Sequence, residues 1–550
     1  MHDLLLSVLG LVGSLAICIG LGLLSVGKAA SNTSFATLLT RGFLGLLLLL
    51  GVMNIFVSLA SIYLLLAVII LSVTGLIRGC RKFTDITPFG VLAGAGASIW
   101  LGFLSIGRIS NYDPGLYYHS FIAFMRDDKL VWGLANLHTR LGNWSAPFAL
   151  SAWFQNGPIG YEGYRLANSL LIVVVLAAVI STLRKTRQVG ISPAVFLQPV
   201  GIAFIFSEML TSPGFFIAAP SPDMGFALTS VMALGSAIDR KWGVRDHEGS
   251  SWVWAVLSIL YRPQGLVVLL AILFLRVDLL GMMRNADLLL KKLREHSLAV
   301  CGLLLYPVLT IILSGHFLYP VSSLPQVLPW AVPEAQRSYL SDQITWIARQ
   351  GPLPETVDFR GFGWVADWIV RNFGLIALLV IVAVSGLVVS KRACQPLDRV
   401  AFFTTWVIIG TPVVVWFVLA PDPRFGLGPL GVFALLPWVR CLKREPNPER
   451  QDGVSAALLY VAVAALAFSV VLPLTRELGA RVGDPQTLGI PEPSHLDTPR
   501  RVVADLGNVV ITRPLNTSGP ECGAALWCTP EDVSGIEIIR WGPFTVLSRN

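Results

Sequence analysis

The sequence is poor in charged residues and lacks the common signatures of soluble nucleotide-binding and hydrolytic enzymes. Only 13% of its 550 residues are charged, whereas soluble domains carry about 25%, so a soluble enzyme is excluded. It contains no Walker motif, no Gly-rich dinucleotide fingerprint, no His-Glu-x-x-His and no Gly-x-Ser-x-Gly. These absences remove support from nucleotide-driven pumps and from the common hydrolases. The longest apolar runs do not alternate with polar residues, which excludes a membrane β-barrel.

Apolar residues make up 54% of the chain, and many lie in runs close to the roughly 20 residues that a helix needs to cross a bilayer. We therefore predict an all-α polytopic membrane protein with about 12–14 spans. The predicted spans are 4–26, 36–53, 55–77, 87–107, 166–183, 194–210, 224–238, 251–275, 298–317, 366–390, 400–420, 427–440 and 454–474.

The excess of basic residues indicates topology rather than nucleic-acid binding. Lys and Arg number 41 against 33 Asp and Glu, a net charge of +8, and basic clusters in short loops mark the cytoplasmic side. We also expect an amphipathic helix on the inner surface between Arg276 and Glu295. The clusters assigned to the inside are Arg78, Arg81 and Lys82; Arg184, Lys185 and Arg187; Lys391, Arg392 and Arg399; and Arg440, Lys443, Arg444 and Arg450.

This assignment divides the chain. The outer face receives loops 108–165 and 318–365 and the C-terminal tail. We expect an outer cap in 476–550 after the membrane spans.

One predicted span is interrupted. Segment 251–275 lies between Asp239–Ser250 and Arg276–Glu295, both of which we assign to the inside, and it is too short to cross a bilayer twice. It therefore predicts two half-helices that turn at Tyr261-Arg262-Pro263-Gln264-Gly265. Irregular backbone at membrane depth needs a water-filled cavity or surrounding protein, so this turn indicates a site.

The tail differs in composition from the rest of the chain and predicts a small β-rich cap. Expected strands are 501–504, 508–512, 534–540 and 544–547. Cys522 and Cys528 lie in this outer tail, where an oxidising compartment favours a disulfide; two free thiols are the alternative.

Asp113 is the candidate for acid–base chemistry. It follows a span, at the start of the polar and aromatic loop Asn111–His119. A carboxylate at the mouth of a cavity can act as a general base or hold a divalent cation. An Asp-Pro-Gly turn that only ends the span is an equally weighted alternative. The sequence requires no cofactor, and a divalent cation is an open alternative.

Three more charged residues are candidates for substrate binding. Arg262 lies within an apolar stretch, where an ionisable residue usually faces a cavity or a partner. Its guanidinium suits a phosphate, but a structural ion pair with Asp223 or Glu208 is the alternative. Asp223 follows a Pro-rich turn before a span. Arg424 lies at the outer end of span 400–420, where anion binding is slightly favoured over an interface anchor.

The first outer loop supplies further candidates for substrate binding: Tyr117, Tyr118, His119, His138 and Arg140. The two histidines are far apart in sequence and have no carboxylate at ligand spacing. We therefore expect hydrogen bonding and no metal site.

The order of Asp113, Tyr117, Tyr118 and Met125 resembles the Asp-Glu-x-x-Tyr-x-x-x-Ala-x-x-Met loop of GT-C glycosyltransferases that use polyprenyl-phosphate sugars. The turn 261–265 resembles the Leu-Thr-Lys-Gly-Pro turn of the same superfamily. The strings Tyr-Asp-x-Gly-Leu-Tyr, Ser-Pro-Ser-Pro-Asp and Pro-Asp-Pro-Arg-Phe also look like a bacterial family of multi-spanning membrane proteins. That second likeness covers most of the chain and carries no activity with it.

The GT-C resemblance implies a fold, a site and partners. In that superfamily the Asp is the proposed base and the basic turn lies by the lipid phosphate, which makes Asp113 the base and Arg262 the phosphate ligand here. The acidic loop there follows the first span, so the resemblance implies additional N-terminal transmembrane helices in residues 1–82 and a GT-C-like transmembrane core in 83–475. Pro114 stands in place of the second acid. The implied partners are a polyprenyl-phosphate sugar donor, a lipid or glycan acceptor and membrane lipids, in a bacterial inner membrane with the tail in the periplasm.

The resulting hypothesis is an inverting sugar transfer to an outer-face lipid or cell-surface glycan. Arg262 and Arg424 would balance the charge on the leaving phosphate. A transporter or flippase for a lipid-linked glycan is the first alternative, because broken helices and intramembrane arginines suit it as well. A glycan polymerase or ligase is the second. No nucleic-acid partner is expected.

Overall fold

The structure is a computed structural model. It describes residues 2–26, 34–79, 88–107, 109, 111–184, 191–209, 216–242, 250–276, 286–321, 328–350, 361–393, 399–442, 453–482, 500–506, 509–515, 522, 525–541 and 543–549. Several residues of the basic clusters used to assign the inner side lie outside these ranges: Arg81, Lys82, Lys185, Arg187, Lys443, Arg444 and Arg450. Arg284, in the expected amphipathic segment between Arg276 and Glu295, lies outside them as well.

Helices dominate the described part of the chain. The α-helices are α1 His2–Val26, α2 Phe35–Phe56, α3 Ile62–Gly79, α4 Pro88–Ser105, α5 His119–Asp127, α6 Ala146–Phe154, α7 Ala167–Arg184, α8 Pro193–Met209, α9 Pro222–Lys241, α10 Ser250–Tyr261, α11 Gly265–Arg276, α12 Ala286–Glu295, α13 Ser297–Ser314, α14 Glu334–Gln350, α15 Val365–Arg371, α16 Phe373–Ala393, α17 Arg399–Leu419, α18 Leu427–Val439 and α19 Gly453–Val482. A π-helix covers Pro114–Tyr118, and short 3-10 helices cover Leu134–Asn136, Thr139–Gly142, Gly160–Leu166 and Pro423–Phe425.

Eight helical segments among the described residues are long and apolar enough to cross a membrane, and five further apolar helices are shorter. The predicted all-α polytopic class is thus confirmed. The third span starts later than predicted, at Ile62 instead of residue 55. Leu59 and Ala60 instead donate their N–H groups to the carbonyls of Met125 and Arg126. The backbone at residues 59 and 60 therefore bonds to the end of α5 and does not extend α3.

Glycine allows the first three helices to pack very closely. A Cβ on Gly42 of α2 would lie 1.6 Å from the carbonyl oxygen of Cys18 in α1. A Cβ on Gly75 of α3 would lie 1.9 Å from the carbonyl oxygen of Gly20. Close approach of this kind is typical of helix packing in membranes. Helix α2 also contacts α7 and α13, so the N-terminal helices are joined to the rest of the bundle.

The predicted break in segment 251–275 is confirmed, because α10 ends at Tyr261 and α11 begins at Gly265. The N–H of Arg262 makes the last α10 bond, to Ser258, and Pro263 has no N–H with which to continue the helix. Gly265 lies so close to α10 that a Cβ would be 2.4 Å from the Ser258 and Ile259 backbone. The sequence of this turn therefore fixes where the chain reverses.

The four predicted strands of the C-terminal tail are confirmed, and they pair as two antiparallel hairpins. Strands β1 (Arg500–Asp505) and β2 (Val510–Pro514) pair, and β3 (Ile536–Trp541) pairs with β4 (Phe544–Arg549). A disulfide joins Cys522 to Cys528. Helix α19 continues to Val482, so the tail starts later than residue 476.

The tail packs on the two loop regions that the sequence assigned to one face. The backbone of Trp132 exchanges hydrogen bonds with Thr545 and Leu547 of β4. The Trp132 ring also contacts the rings of Trp330, Trp541 and Phe544. Loop 111–166, the segment around Trp330 and the tail therefore form one layer, which covers the end of the helix bundle where α10 meets α11.

Candidate functional site

A cavity of about 270 Å³ lies beneath this layer, at the break between α10 and α11. Six of the nine residues predicted to bind substrate or act in catalysis line it: Asp113, Tyr117, Arg140, Asp223, Arg262 and Arg424. The other lining residues are Asn143, Trp144, Ser145, Phe148, Pro222, Tyr261, Pro263, Gln264, Pro320, Leu340, Ile344, Ile347 and Phe425.

Asp113 lies directly before the π-helix Pro114–Tyr118. Its N–H donates to the Asn111 side-chain oxygen at 3.0 Å, and the Tyr118 hydroxyl donates to Asp113 Oδ2 at 3.4 Å. No Lys or Arg among the described residues forms an ion pair with it. Asp113 is therefore a partly exposed carboxylate whose only side-chain hydrogen bond in the described part of the chain is long.

Arg262 is paired with Asp223 through its Nη2. Asp223 lies in the first turn of α9, after the N-cap Ser221 and Pro222, where a helix favours a negative charge. The Arg262 guanidinium also lies 4.4 Å from the centre of the Phe425 ring. The structural ion pair, the alternative raised from the sequence, is thus present, and its acid is Asp223 and not the exposed Glu208.

Arg424 is paired within its own turn. Its Nε donates to both carboxylate oxygens of Asp422, at 3.2 and 3.1 Å, and its Nη2 donates to Oδ2 at 2.8 Å. The Asp422 side chain also accepts the Arg424 N–H at 3.0 Å. Arg424 therefore brings its own counter-charge to the cavity.

Arg140 differs from the other two arginines. Its Nη2 donates to the Gln343 side-chain oxygen of α14 at 3.2 Å, and its guanidinium lies 5.6 Å from the centre of the Tyr117 ring. Within the described ranges no carboxylate pairs with it. Both contacts leave its full positive charge available to an anion in the cavity.

The remaining predicted residues do not line the cavity. Tyr118 is fully buried behind it, with its ring 4.9 Å from that of Phe148. His119 is buried against the Tyr164 ring, 4.8 Å between centres. His138 is buried next to Glu531 of the tail, 3.0 Å from Nδ1 to Oε1. Direct substrate contact, the role expected of these three side chains, has no geometric support.

Several buried polar atoms of the cavity wall have no hydrogen-bond partner among the residues that the structure describes. They are Asn143 Oδ1, Trp144 Nε1, Tyr261 Oη, Arg262 Nε and Gln264 Oε1. Buried polar groups are normally hydrogen-bonded, so this wall suits a polar ligand or bound water. Sequence reasoning missed Asn143 and gave no role to Gln264, although Gln264 lies in the turn it singled out.

One wall of the cavity is apolar. Leu340, Ile344 and Ile347 line it from α14. Their spacing of four and three residues places them on one side of a helix. This periodicity is visible in the sequence, although the sequence prediction gave these residues no role.

Burial, and secondarily the Asp113 charge, raises the pKa of Tyr117 to about 12. Its hydroxyl is therefore protonated at neutral pH and available as a hydrogen-bond donor. Within the described residues no three His, Cys, Asp or Glu side chains are grouped to hold a metal ion.

The fold and the cavity define a polytopic helical membrane protein with a charged site at a broken helix. The chain belongs to the family described as a domain of unknown function, DUF8201, whose sequence profile matches residues 1–430. Every residue that lines the cavity lies within this match, whereas α19 and the β-tail lie beyond it. No curated protein matches the chain.

Proposed function

We propose that this protein transfers a sugar from a polyprenyl-phosphate donor to a hydroxyl group of a lipid or glycan acceptor. The observation that carries the proposal is that Asp113, a carboxylate without an ion pair in the described structure, shares one cavity with three arginines. A base for an acceptor hydroxyl and cations for a phosphate are the groups that this reaction needs.

In the proposed reaction the acceptor oxygen attacks C1 of the sugar while Asp113 takes the hydroxyl proton. The bond between C1 and the phosphate oxygen breaks, and the polyprenyl phosphate leaves with the electron pair. Attack opposite the leaving group inverts the configuration at C1. Arg140, Arg262 and Arg424 stabilise the negative charge that develops on the departing phosphate.

The two kinds of wall suit the two parts of such a donor. The unpartnered polar atoms of Asn143, Tyr261 and Gln264 can bond sugar hydroxyls. The apolar side chains of Leu340 and Ile344 suit the first isoprene units of the lipid. In this proposal the cavity and the tail lie on the outer, periplasmic face of a bacterial inner membrane.

The test uses the full-length protein in vesicles supplied with undecaprenyl phosphate carrying radiolabelled glucose, mannose, galactose or arabinose, and with an extract of envelope lipids and glycans. We expect label to move covalently to the extract for at least one donor. Asp113→Asn should lower the rate at least about 100-fold, the usual contribution of a general base. Asp128→Asn, in the same loop but outside the cavity, is the matched control. Full transfer by Asp113→Asn would refute the role of the base.

A second candidate function is movement of a lipid-linked glycan across the membrane. The break between α10 and α11 favours it, because transporters use discontinuous helices at their substrate sites. In the same vesicles a flippase would make the labelled donor accessible on the opposite leaflet without forming a new covalent product. That result would replace the transferase proposal.

A further inference from the structure

One of the contacts between the C-terminal tail and loop 111–166 is made by the side chain of Glu531. Both carboxylate oxygens of Glu531 accept the N–H of Thr139 at 3.0 Å, and Oε1 accepts the Thr139 hydroxyl at 2.6 Å. His138 Nδ1 lies 3.0 Å from the same Oε1. Thr139 and Glu531 are 392 positions apart in the chain, so the contact joins two segments that are distant in sequence.

The residues that Glu531 contacts, His138 and Thr139, directly precede Arg140 in the chain. His138 is the N-cap of the 3-10 helix Thr139–Gly142, and its Nδ1 lies 3.2 Å from the N–H of Arg140. The Tyr319 hydroxyl donates to the Thr139 carbonyl at 2.9 Å. The peptide groups before and after Thr139 are thus both fixed, and Arg140 is the next residue.

Glu531 is itself held in place by the tail. Its N–H donates to the Thr529 hydroxyl at 3.1 Å, and Arg513 of β2 donates to its carbonyl at 2.6 Å. Thr529 follows Cys528 of the disulfide and donates its N–H to the Thr512 carbonyl. The segment that carries the Glu531 carboxylate is therefore fixed by hydrogen bonds within the tail.

The environment keeps this carboxylate charged. Its side chain is 23% exposed. Burial raises the pKa of Glu531, but the neighbouring His138 side chain and the hydrogen bonds from Thr139 outweigh it and leave the pKa below its usual value. A charged acceptor forms stronger hydrogen bonds than a neutral one, so the contact is suited to fix the loop.

We propose that Glu531 is a positioning residue that holds Arg140 in the cavity for the phosphate of the lipid ligand. The inference rests on the proposed function, because it takes the ligand to be a phosphate. Arg140 is the cavity arginine without a carboxylate partner in the described structure, so its placement governs how strongly the site prefers an anion to a neutral lipid. Glu531 itself does not line the cavity.

The experiment measures binding of farnesyl phosphate and of uncharged farnesol to the full-length protein in nanodiscs. We expect the wild type to prefer the phosphate. Glu531→Ala should weaken farnesyl phosphate binding at least 10-fold while changing farnesol binding less than twofold. Arg140→Gln should give the same pattern, and the double variant should lose no more than Arg140→Gln alone, because effects in one chain of contacts are not additive.

Two further variants separate positioning from general stability. Glu531→Gln keeps the acceptor geometry without the charge and should fall between the wild type and Glu531→Ala. Asp532→Asn changes the neighbouring acid, whose side chain is 69% exposed, and should leave both affinities unchanged. If Glu531→Ala does not fold, Thr139→Val removes one donor at nearly constant shape and should weaken phosphate binding about threefold, the effect of about 0.7 kcal/mol for one hydrogen bond.

Equal losses for the phosphate and the alcohol, or additive losses in the double variant, would overturn the proposal. Unchanged phosphate binding in Glu531→Ala or Thr139→Val would do so as well. If the wild type shows no preference for the phosphate, the proposed function fails by itself. Backbone hydrogen exchange over residues 134–142 then decides the positioning contact: faster exchange in Glu531→Ala supports it, and unchanged exchange overturns it.

Discussion

The charged residues on the two sides of the cavity differ in their ion pairing. On the paired side, Arg262 and Arg424 are bound to Asp223 and Asp422. On the unpaired side, Asp113 and Arg140 form no ion pair within the described part of the chain. An ion pair offsets much of the cost of burying charge, and its members are then less available to a ligand. The paired side therefore chiefly builds the cavity and adds positive charge for a leaving phosphate, whereas the unpaired side supplies the base and the arginine whose charge is least compensated.

The largest effect on stability should come from breaking the pair between Asp223 and Arg262. Asp223→Asn leaves the guanidinium buried without its counter-charge, and we expect a loss of about 3–5 kcal/mol in the free energy of unfolding. Denaturant or thermal unfolding in detergent micelles measures it. The double variant Asp223→Asn, Arg262→Gln should recover part of the loss. A loss below about 1 kcal/mol, as for an exposed ion pair, would show that the two sides do not differ in this way.

A smaller loss of stability is expected from a substitution in the turn 261–265, which carries Arg262 of the paired side. Gly265→Ala places a methyl group against the α10 backbone, 2.4 Å from Ser258 and Ile259, and should cost about 1–3 kcal/mol. Gly479→Ala in α19 is the matched control, since a Cβ there would meet no atom within 4 Å. Equal stability of the two variants would show that the close approach at the break is not required.

Breaking the pair between Asp422 and Arg424, the more exposed pair of the paired side, should lower the free energy of unfolding by less. Asp422 and Arg424 have side-chain exposures of 14% and 32%, so water compensates much of a lost pair. Asp422→Asn should cost about 1 kcal/mol in the free energy of unfolding. The same unfolding measurement checks it, and a loss as large as that of Asp223→Asn would contradict the graded comparison.

The smallest expected effect is a pH dependence of stability at Glu531, which contacts the residues directly before Arg140 of the unpaired side. Because the folded-state pKa of Glu531 lies below its usual value of 4.5, its stabilising contribution is present above pH 4.5 and is lost as the pH falls through the folded pKa. The difference in melting temperature between the wild type and Glu531→Gln should therefore shrink as the pH falls below 4.5. A difference that stays constant in that range would show that the charge of Glu531 does not matter.

Local signals made part of this architecture predictable. Pro263 and Gly265 interrupt an apolar run that also contains Arg262, so the break in the helix could be located from the chain. Length and hydropathy identified the apolar spans but not helices α6 and α14 of the loops, and short alternating runs identified the four strands. The start of α3 was missed because Leu59 and Ala60 bond to residues 125 and 126, which no local pattern shows.

The sequence predicted which charged residues form the candidate site, but not all of the contacts that they make. Charged residues in apolar surroundings indicated Asp113, Asp223, Arg262 and Arg424. The pairing of Arg424 with Asp422 lies within one turn and was accessible from the sequence. The contact between Glu531 and Thr139 was not, because it depends on how a tail hairpin docks on a loop far away in the chain.

Transfer rate and melting temperature, measured for the matched variants Asp113→Asn and Asp223→Asn, separate the two sides of the cavity. We expect Asp113→Asn to lower the rate at least about 100-fold at nearly unchanged melting temperature. Asp223→Asn should produce the larger fall in melting temperature. Full transfer activity in Asp113→Asn, or a fall in its melting temperature equal to that of Asp223→Asn, would contradict the division of the cavity into a structural and a chemical side.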